Sequence, residues 1–178
     1  AQAAGAHVVS EPRRGYGYAC AAGVAAARET DVLIFLDGDY SFLPGDFPRL
    51  LKPIEQGEAD LVLGSRTRGH IARGSMPPQQ RFGNWLATRL IHMMYGFRFS
   101  DLGPFRAIRW QKLLSLDMQD KNYGWTVEMQ VKALQHQLAC AEVPVSYRKR
   151  IGTSKVSGTA KGSILAGYKI LWTIFKSL

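Results

Sequence analysis

Cysteine is scarce in this chain. Cys20 and Cys140 are the only two in 178 residues, and they lie far apart. They cannot build a thiolate metal cluster or a disulfide framework, so two reduced, buried thiols in a cytosolic compartment are expected. Long apolar runs are also missing. Nothing approaches the roughly 20 residues of a membrane-spanning helix, and no leader pattern is present. Acidic residues are in the minority, 14 Asp and Glu against 23 Lys and Arg, which leaves a net charge of +9. Such a balance calls for an anionic partner: nucleic acid, a phosphorylated substrate or an acidic membrane. The four histidines, His7, His70, His92 and His136, share no spacing and read as structural or surface groups. With no repeat, low-complexity tract or linker, the chain reads as one domain with a substantial core. It opens without Met on Ala1-Gln2-Ala3-Ala4-Gly5-Ala6-His7, a start expected of a fragment that begins inside a domain.

Hydrophobic patterning supplies the elements. Strands are predicted at 6–9, 31–37, 60–64 and 140–147, with 99–108 extended. Helices are predicted at 18–28, 44–56, 79–95, 111–116, 126–137 and 163–178. Residues 67–78, rich in Gly, Pro and Arg, read as a loop. Within the long helix, Phe82, Trp85, Leu86, Leu90 and Met93 recur at helical spacing, as a core face would. Strands alternating with helices predict an α/β fold with a largely parallel sheet.

One segment concentrates the chemistry. Val32, Leu33, Ile34, Phe35 and Leu36 read as a strand buried on both faces, and it ends in Asp37-Gly38-Asp39. Open α/β sheets bind ligands beyond the carboxyl ends of their strands. Two carboxylates there suit a hard divalent cation, which keeps waters and shares phosphate oxygens with a substrate. A solvated turn would use the same residue types. Basic residues fall at other strand ends: Arg66, Arg68, Arg73 and Arg81 in one group, Arg148, Lys149, Arg150 and Lys155 in another. Guanidinium groups bind phosphate in bidentate fashion, and two such clusters speak against a merely solvated basic face. Gly15-Tyr16-Gly17 before a helix fits either a phosphate-cradling turn or a plain tight turn, and it is no complete dinucleotide or Walker pattern. Glu128 is either a first-turn carboxylate favoured by the helix dipole or a cleft group. Asp101 is either an acceptor-side carboxylate or a turn former.

Taken together, these motifs resemble family-2 glycosyltransferases of the GT-A fold, in particular polyprenyl-phosphate sugar synthases of the dolichol-phosphate mannose synthase type. The segments that carry the resemblance begin with Gly15-Tyr16-Gly17-Tyr18-Ala19, Phe35-Leu36-Asp37-Gly38-Asp39 and Ala59-Asp60-Leu61-Val62-Leu63-Gly64-Ser65-Arg66. They continue with Asp101-Leu102-Gly103-Pro104-Phe105-Arg106-Ala107, Tyr123-Gly124-Trp125-Thr126-Val127-Glu128-Met129, Glu142-Val143-Pro144-Val145-Ser146-Tyr147-Arg148 and Gly152-Thr153-Ser154-Lys155-Val156-Ser157-Gly158-Thr159.

The resemblance implies inverting transfer of a sugar from a nucleotide-diphosphate sugar, of the GDP-mannose or UDP-glucose type, to a dolichyl or undecaprenyl phosphate. It implies Mg2+ or Mn2+ held by Asp37 and Asp39, with Ser41 as a further polar ligand. Arg66, Arg81, Arg150 and Lys155 would hold phosphates, Arg106 and Glu128 would join the substrate-binding set, and Asp39, Arg66 and Asp101 would be catalytic. Residues 1–162 would form a partial GT-A domain that lacks the family's opening strand and helix. Residues 163–178, apolar with interspersed lysines, would form an amphipathic helix in the interface of a membrane or packed on a core. The protein would then be peripheral on the cytoplasmic face of a membrane and serve envelope glycan synthesis. A phosphate acceptor is already an anionic nucleophile and needs no strong base; a hydroxyl acceptor needs one, with Asp101 or Glu128 as candidates. The alternatives are a family-2 transferase for hydroxyl acceptors, an inactive fragment, and a basic nucleic-acid-binding module. Against the last, the basic residues gather beside an acidic pair, and no nucleic-acid signature appears.

Overall fold

A computed structural model describes residues 1–27, 30–152, 168, 172–174 and 176. The elements run α1 (Tyr16–Ala26), β1 (Val32–Phe35), α2 (Phe47–Glu55), β2 (Leu61–Ile71), α3 (Pro78–Tyr95), β3 (Arg106–Arg109), α4 (Trp110–Ser115), α5 (Trp125–Gln135) and β4 (Cys140–Tyr147). The expected α/β class is what forms, a central sheet flanked by helices.

The sheet order is β1-β3-β2-β4. β3 pairs antiparallel with β1 and β2, while β2 and β4 pair parallel. Three strands thus run one way, and the reversed β3 is wedged between two of them. This makes the pairing mixed where the sequence predicted a largely parallel sheet. β4 lies at an edge, where Pro144, which lacks an N–H, is tolerated.

Side chains alternate across the sheet with a period of two. Leu33, Phe35, Leu61, Leu63 and Ile108 face a core built with α1, α3, α4 and α5. Val32, Ile34, Val62, Ala107 and Val145 face a second core closed by α2 through Leu50 and Ile54. Burial on both faces explains the unbroken apolar runs. In the second core the Phe105 ring lies 5.1 Å from Phe42 and 5.8 Å from Phe47, centre to centre.

Several sequence expectations change. Residues 6–9 form no strand; Val8 and Val9 are exposed, and no described strand pairs with them. β2 runs on through 67–71, where a loop was expected, because His70 and Ile71 rejoin β4 opposite Ser146 and Tyr147. Between those pairs residues 66–69 bulge opposite Val145 alone. A Cβ at Gly69 would collide with the Val145 backbone, so the bulge requires glycine there. α1 starts two residues earlier than predicted. Gly15 and Gly17 let it lie against the backbone of Asp120 and Lys121, where any Cβ would clash. Residues 99–105 are mostly irregular, and only the end of the expected extended stretch pairs, as β3. α3 buries Asn84, Ala87, Thr88 and Ile91. Its predicted core residues Phe82, Trp85 and Met93 are exposed. The predicted helix at 163–178 falls largely outside the described residues.

Phe105→Ala is expected to lower the unfolding free energy by about 3–5 kcal/mol, the cost of a cavity at a closed aromatic site. Urea denaturation measures this, and a loss below about 1 kcal/mol would contradict the packing described.

Candidate active site

β1, β2 and β4 point their carboxyl ends to one edge of the sheet. Asp37 and Asp39 follow β1 there, both half-buried. Burial, then the like charge of Asp39, pushes the Asp37 carboxyl above the ordinary aspartate range, while Arg150, Arg66 and Arg106 pull it back. Asp39 is oriented from two sides. Its Oδ1 accepts from the Ser41 N–H at 3.0 Å, and its Oδ2 lies 3.3 Å from Nη1 of Arg150. Ser41 is 1% exposed, and its hydroxyl finds no hydrogen-bond partner among the described residues.

The pair fits a hard divalent cation. It supplies two carboxylates, one of them held at an electrostatic disadvantage that a cation would relieve, and an uncommitted hydroxyl lies two residues on. Among the described residues no group of three or more His, Cys, Asp or Glu could hold a metal by itself. A cation bound here would therefore complete its shell from substrate oxygens and water.

Arg66 and Asp101 meet each other in the interior. Asp101 is fully buried and Arg66 nearly so. Nε and Nη2 of Arg66 donate to the two Asp101 oxygens at 2.8 and 2.7 Å, and the Arg66 backbone N–H adds a third bond of 2.7 Å. Burial works against the guanidinium charge, yet Asp101 holds its pKa above the usual value. The Arg66 guanidinium also faces the Tyr147 ring, 5.1 Å from its centre. Arg66 and Asp101 are thus paired with each other in this structure, and each offsets the other's charge.

Two further residues of the implied set are also bonded within the protein. Arg106, 1% exposed, donates to the carbonyls of Gly103 and Thr126, and burial pushes its pKa down to about 10. It acts on Asp37 only as a buried positive charge. Glu128 accepts from the Gln119 and Asp120 N–H groups at 2.8 and 2.7 Å and pairs with Lys132 at 3.0 Å. It anchors the 119–120 turn. Arg81 is exposed at the start of α3, and its Nε donates to the Met76 carbonyl at 3.3 Å. Lys155 lies outside the described residues. Of the implied set, the structure brings Asp37, Asp39, Ser41 and Arg150 together.

Some organising residues were assigned no role by the sequence, and Asn84 and Gln130 lie in no motif. Glu142 on β4 accepts from the Ser100 N–H and hydroxyl and from the Asp101 N–H. Asn84 on α3 donates to the Ser100 carbonyl and accepts from the Leu102 N–H. Gln130 on α5 donates to the Asp101 carbonyl. The available signal was a polar residue on the apolar face of each helix, Asn84 in α3 and Gln130 in α5, which a buried partner must explain.

The chain is similar to known proteins in both sequence and fold. The model of Glycosyl transferase family 2 matches residues 1–120. An uncharacterized glycosyltransferase of Mycobacterium tuberculosis is 38% identical over 163 residues, 91% of this chain and 73% of that protein. An undecaprenyl-phosphate mannosyltransferase of Micrococcus luteus is 32% identical over 143 residues, 76% of this chain and 57% of that protein. Among solved structures, glucosyl-3-phosphoglycerate synthase from Mycobacterium tuberculosis, in complex with Mn2+, UDP-glucose and phosphoglyceric acid, superposes with a TM-score of 0.70. It is 22% identical, and the match covers 98% of this chain and 62% of that one. The chain thus spans about three-fifths of the length of that structure, and at such identity the likeness shows the fold alone.

Asp101→Asn is expected to cost about 3–5 kcal/mol, because it strands the Arg66 charge in the interior. Adding Arg66→Met should cost less than the sum of the two single losses. A double-mutant cycle by urea denaturation checks this, and additive losses would break the pairing argument.

Proposed function

Since the chain belongs to glycosyl transferase family 2, we propose that it moves a hexose from a nucleotide-diphosphate sugar to a polyprenyl phosphate, with inversion, using a divalent cation held by Asp37 and Asp39. One observation carries the choice of acceptor. Asp101 and Glu128, the two candidate general bases, are both buried and bonded to their neighbours. A hydroxyl acceptor would need one of them to take its proton; a phosphate arrives ionised and needs neither. The name of the Micrococcus luteus relative points to the same class of acceptor, and the bound Mn2+ and UDP-glucose of glucosyl-3-phosphoglycerate synthase support the donor and the metal.

The residues divide the work by position. Asp39, fixed by the Ser41 amide and Arg150, presents its carboxylate at the sheet edge. Asp37, raised in pKa by burial and by Asp39, favours a positive charge beside it. Arg150, partly exposed, can shift its charge from Asp39 toward an incoming phosphate. A divalent cation bound to the two carboxylates would neutralise charge on the leaving diphosphate. The buried charges of Arg66 and Arg106 stay behind this edge and offset the acidic pair without touching substrate.

The lipid side has a surface to meet it. α3 turns Phe82, Trp85 and Met93 to solvent at 62%, 55% and 72% exposure. Arg81 and Arg89 are exposed beside them, and the helix contains no carboxylate. An aromatic and basic face of this kind suits an anionic lipid interface, where rings sink to headgroup depth and guanidinium groups meet phosphates. Among the described residues no helix is long and apolar enough to cross a membrane, so this reading rests on attachment at the surface. The expected interfacial helix at 163–178 lies largely outside the described residues.

Two measurements test the proposal. Sugar transfer should require Mg2+ or Mn2+, and Asp39→Ala should lower it by on the order of 100-fold or more; full activity of that variant in chelator would refute the metal site. Phe82→Ser with Trp85→Ser should lower partition onto phosphatidylglycerol vesicles by about tenfold or more. Unchanged partition would remove α3 from the membrane face.

A further inference from the structure

The metal loop is fastened along one side by the residues that leave β4. Phe42 bridges to Tyr147. The Arg148 N–H donates to the Ser41 carbonyl at 2.9 Å, Arg148 Nε to the Tyr40 carbonyl at 2.6 Å, and the Ile151 N–H to the Asp39 carbonyl at 2.9 Å. Three consecutive carbonyls therefore turn toward one short segment. In an extended strand, successive carbonyls point to opposite sides, so the chain between Asp39 and Ser41 must leave β geometry. It does so at Tyr40, whose φ of 66° is left-handed. For a residue with a Cβ this costs roughly 1–2 kcal/mol and persists only where surrounding contacts impose it. Arg148 supplies those contacts: its guanidinium carbon sits 3.4 Å from the centre of the Tyr40 ring while Nε holds the carbonyl of the same residue.

We propose that Arg148 is a positioning residue for the metal site. By gripping Tyr40 at both ring and carbonyl, it holds the left-handed turn that aims the Asp39 carboxylate. This assignment rests on Asp37 and Asp39 as the cation site. Arg148 stands in a basic run whose charge suggests phosphate binding, but its Nε–H and planar face are engaged by Tyr40, and its Nη2 is buried. The planar face and the Nε–H are both needed. Lysine has neither a flat face for the ring nor a donor at that point of the stem. Glycine at position 40 would adopt the left-handed turn without strain, so it should make the grip dispensable.

The test reads Mn2+ binding to the full chain in the presence of UDP, by electron paramagnetic resonance of the free ion. It uses Asp39→Ala, Arg148→Lys, Tyr40→Gly and the double variant Arg148→Lys with Tyr40→Gly. Arg148→Lys should weaken Mn2+ binding by about tenfold, in line with other outer-shell supports. It should also speed amide exchange at Ser41. The double variant should recover most of that affinity. Unchanged Mn2+ binding in Arg148→Lys beside a large loss in Asp39→Ala would overturn the positioning role and leave the metal site standing. A double variant no better than Arg148→Lys would show that Arg148 acts by some route other than the turn, and would also overturn the proposal. Retained binding in Asp39→Ala would overturn the metal site and the positioning role together.

Discussion

A buried guanidinium must be paired, and much of the site follows from pairing Arg66. An isolated charge in the interior is costly enough that its removal or neutralisation dominates other local preferences. Arg66 stands where β2 bulges away from β4, so the side chain is delivered inward, to the 100–103 loop. That loop brings Asp101 to it and must in turn be held. Glu142 from β4, Asn84 from α3 and Gln130 from α5 do this through the backbone of Ser100, Asp101 and Leu102. One ion pair thus ties two strands and two helices at the functional edge, and its geometry is over-determined from several directions.

The same accounting changes the meaning of the net charge. A value of +9 suggests a broad anion-binding face, but several of the arginines nearest the acidic pair are committed inside the protein. Arg66 is neutralised by Asp101, Arg106 ties carbonyls together, and Arg148 lies on Tyr40. Among the described residues, Arg150 is the arginine paired with Asp39. The edge therefore offers a small set of charges in fixed places, which suits a diphosphate and a metal better than a long polyanion, whose affinity grows with the number of phosphates neutralised.

The sequence disclosed the fold class and the acidic edge because both leave local marks. A five-residue apolar run ending in Asp37-Gly38-Asp39 predicts strand, edge and carboxylates at once. β4 was legible to its boundaries for the same reason. The partnership of Arg66 with Asp101 was not, because it spans 35 positions and both residues are also plausible ligands when read alone. The 66–69 bulge was hidden by its Gly and Arg content, which resembles a loop. The face of α3 was misassigned because Phe82, Trp85 and Met93 share the helical period of a core stripe. Asn84, Ala87, Thr88 and Ile91 occupy the buried face, where small and polar side chains permit close packing and hydrogen bonds to the 100–102 loop.

That reversal of α3 joins surface to site. Its outer face carries the rings and arginines; its inner face carries Asn84, which grips the loop that supplies Asp101. A helix is about 10–12 Å across with its side chains, so a lipid surface seated on the outer face lies one helix thickness from that loop. A polyprenyl phosphate keeps its chain in the bilayer and its charge at the headgroup plane. Transfer to it requires that the acidic edge come to the membrane, since the acceptor cannot leave it. A rigid helix that bound lipid on one side, as proposed, and the site's organising loop on the other would meet that demand without any moving part.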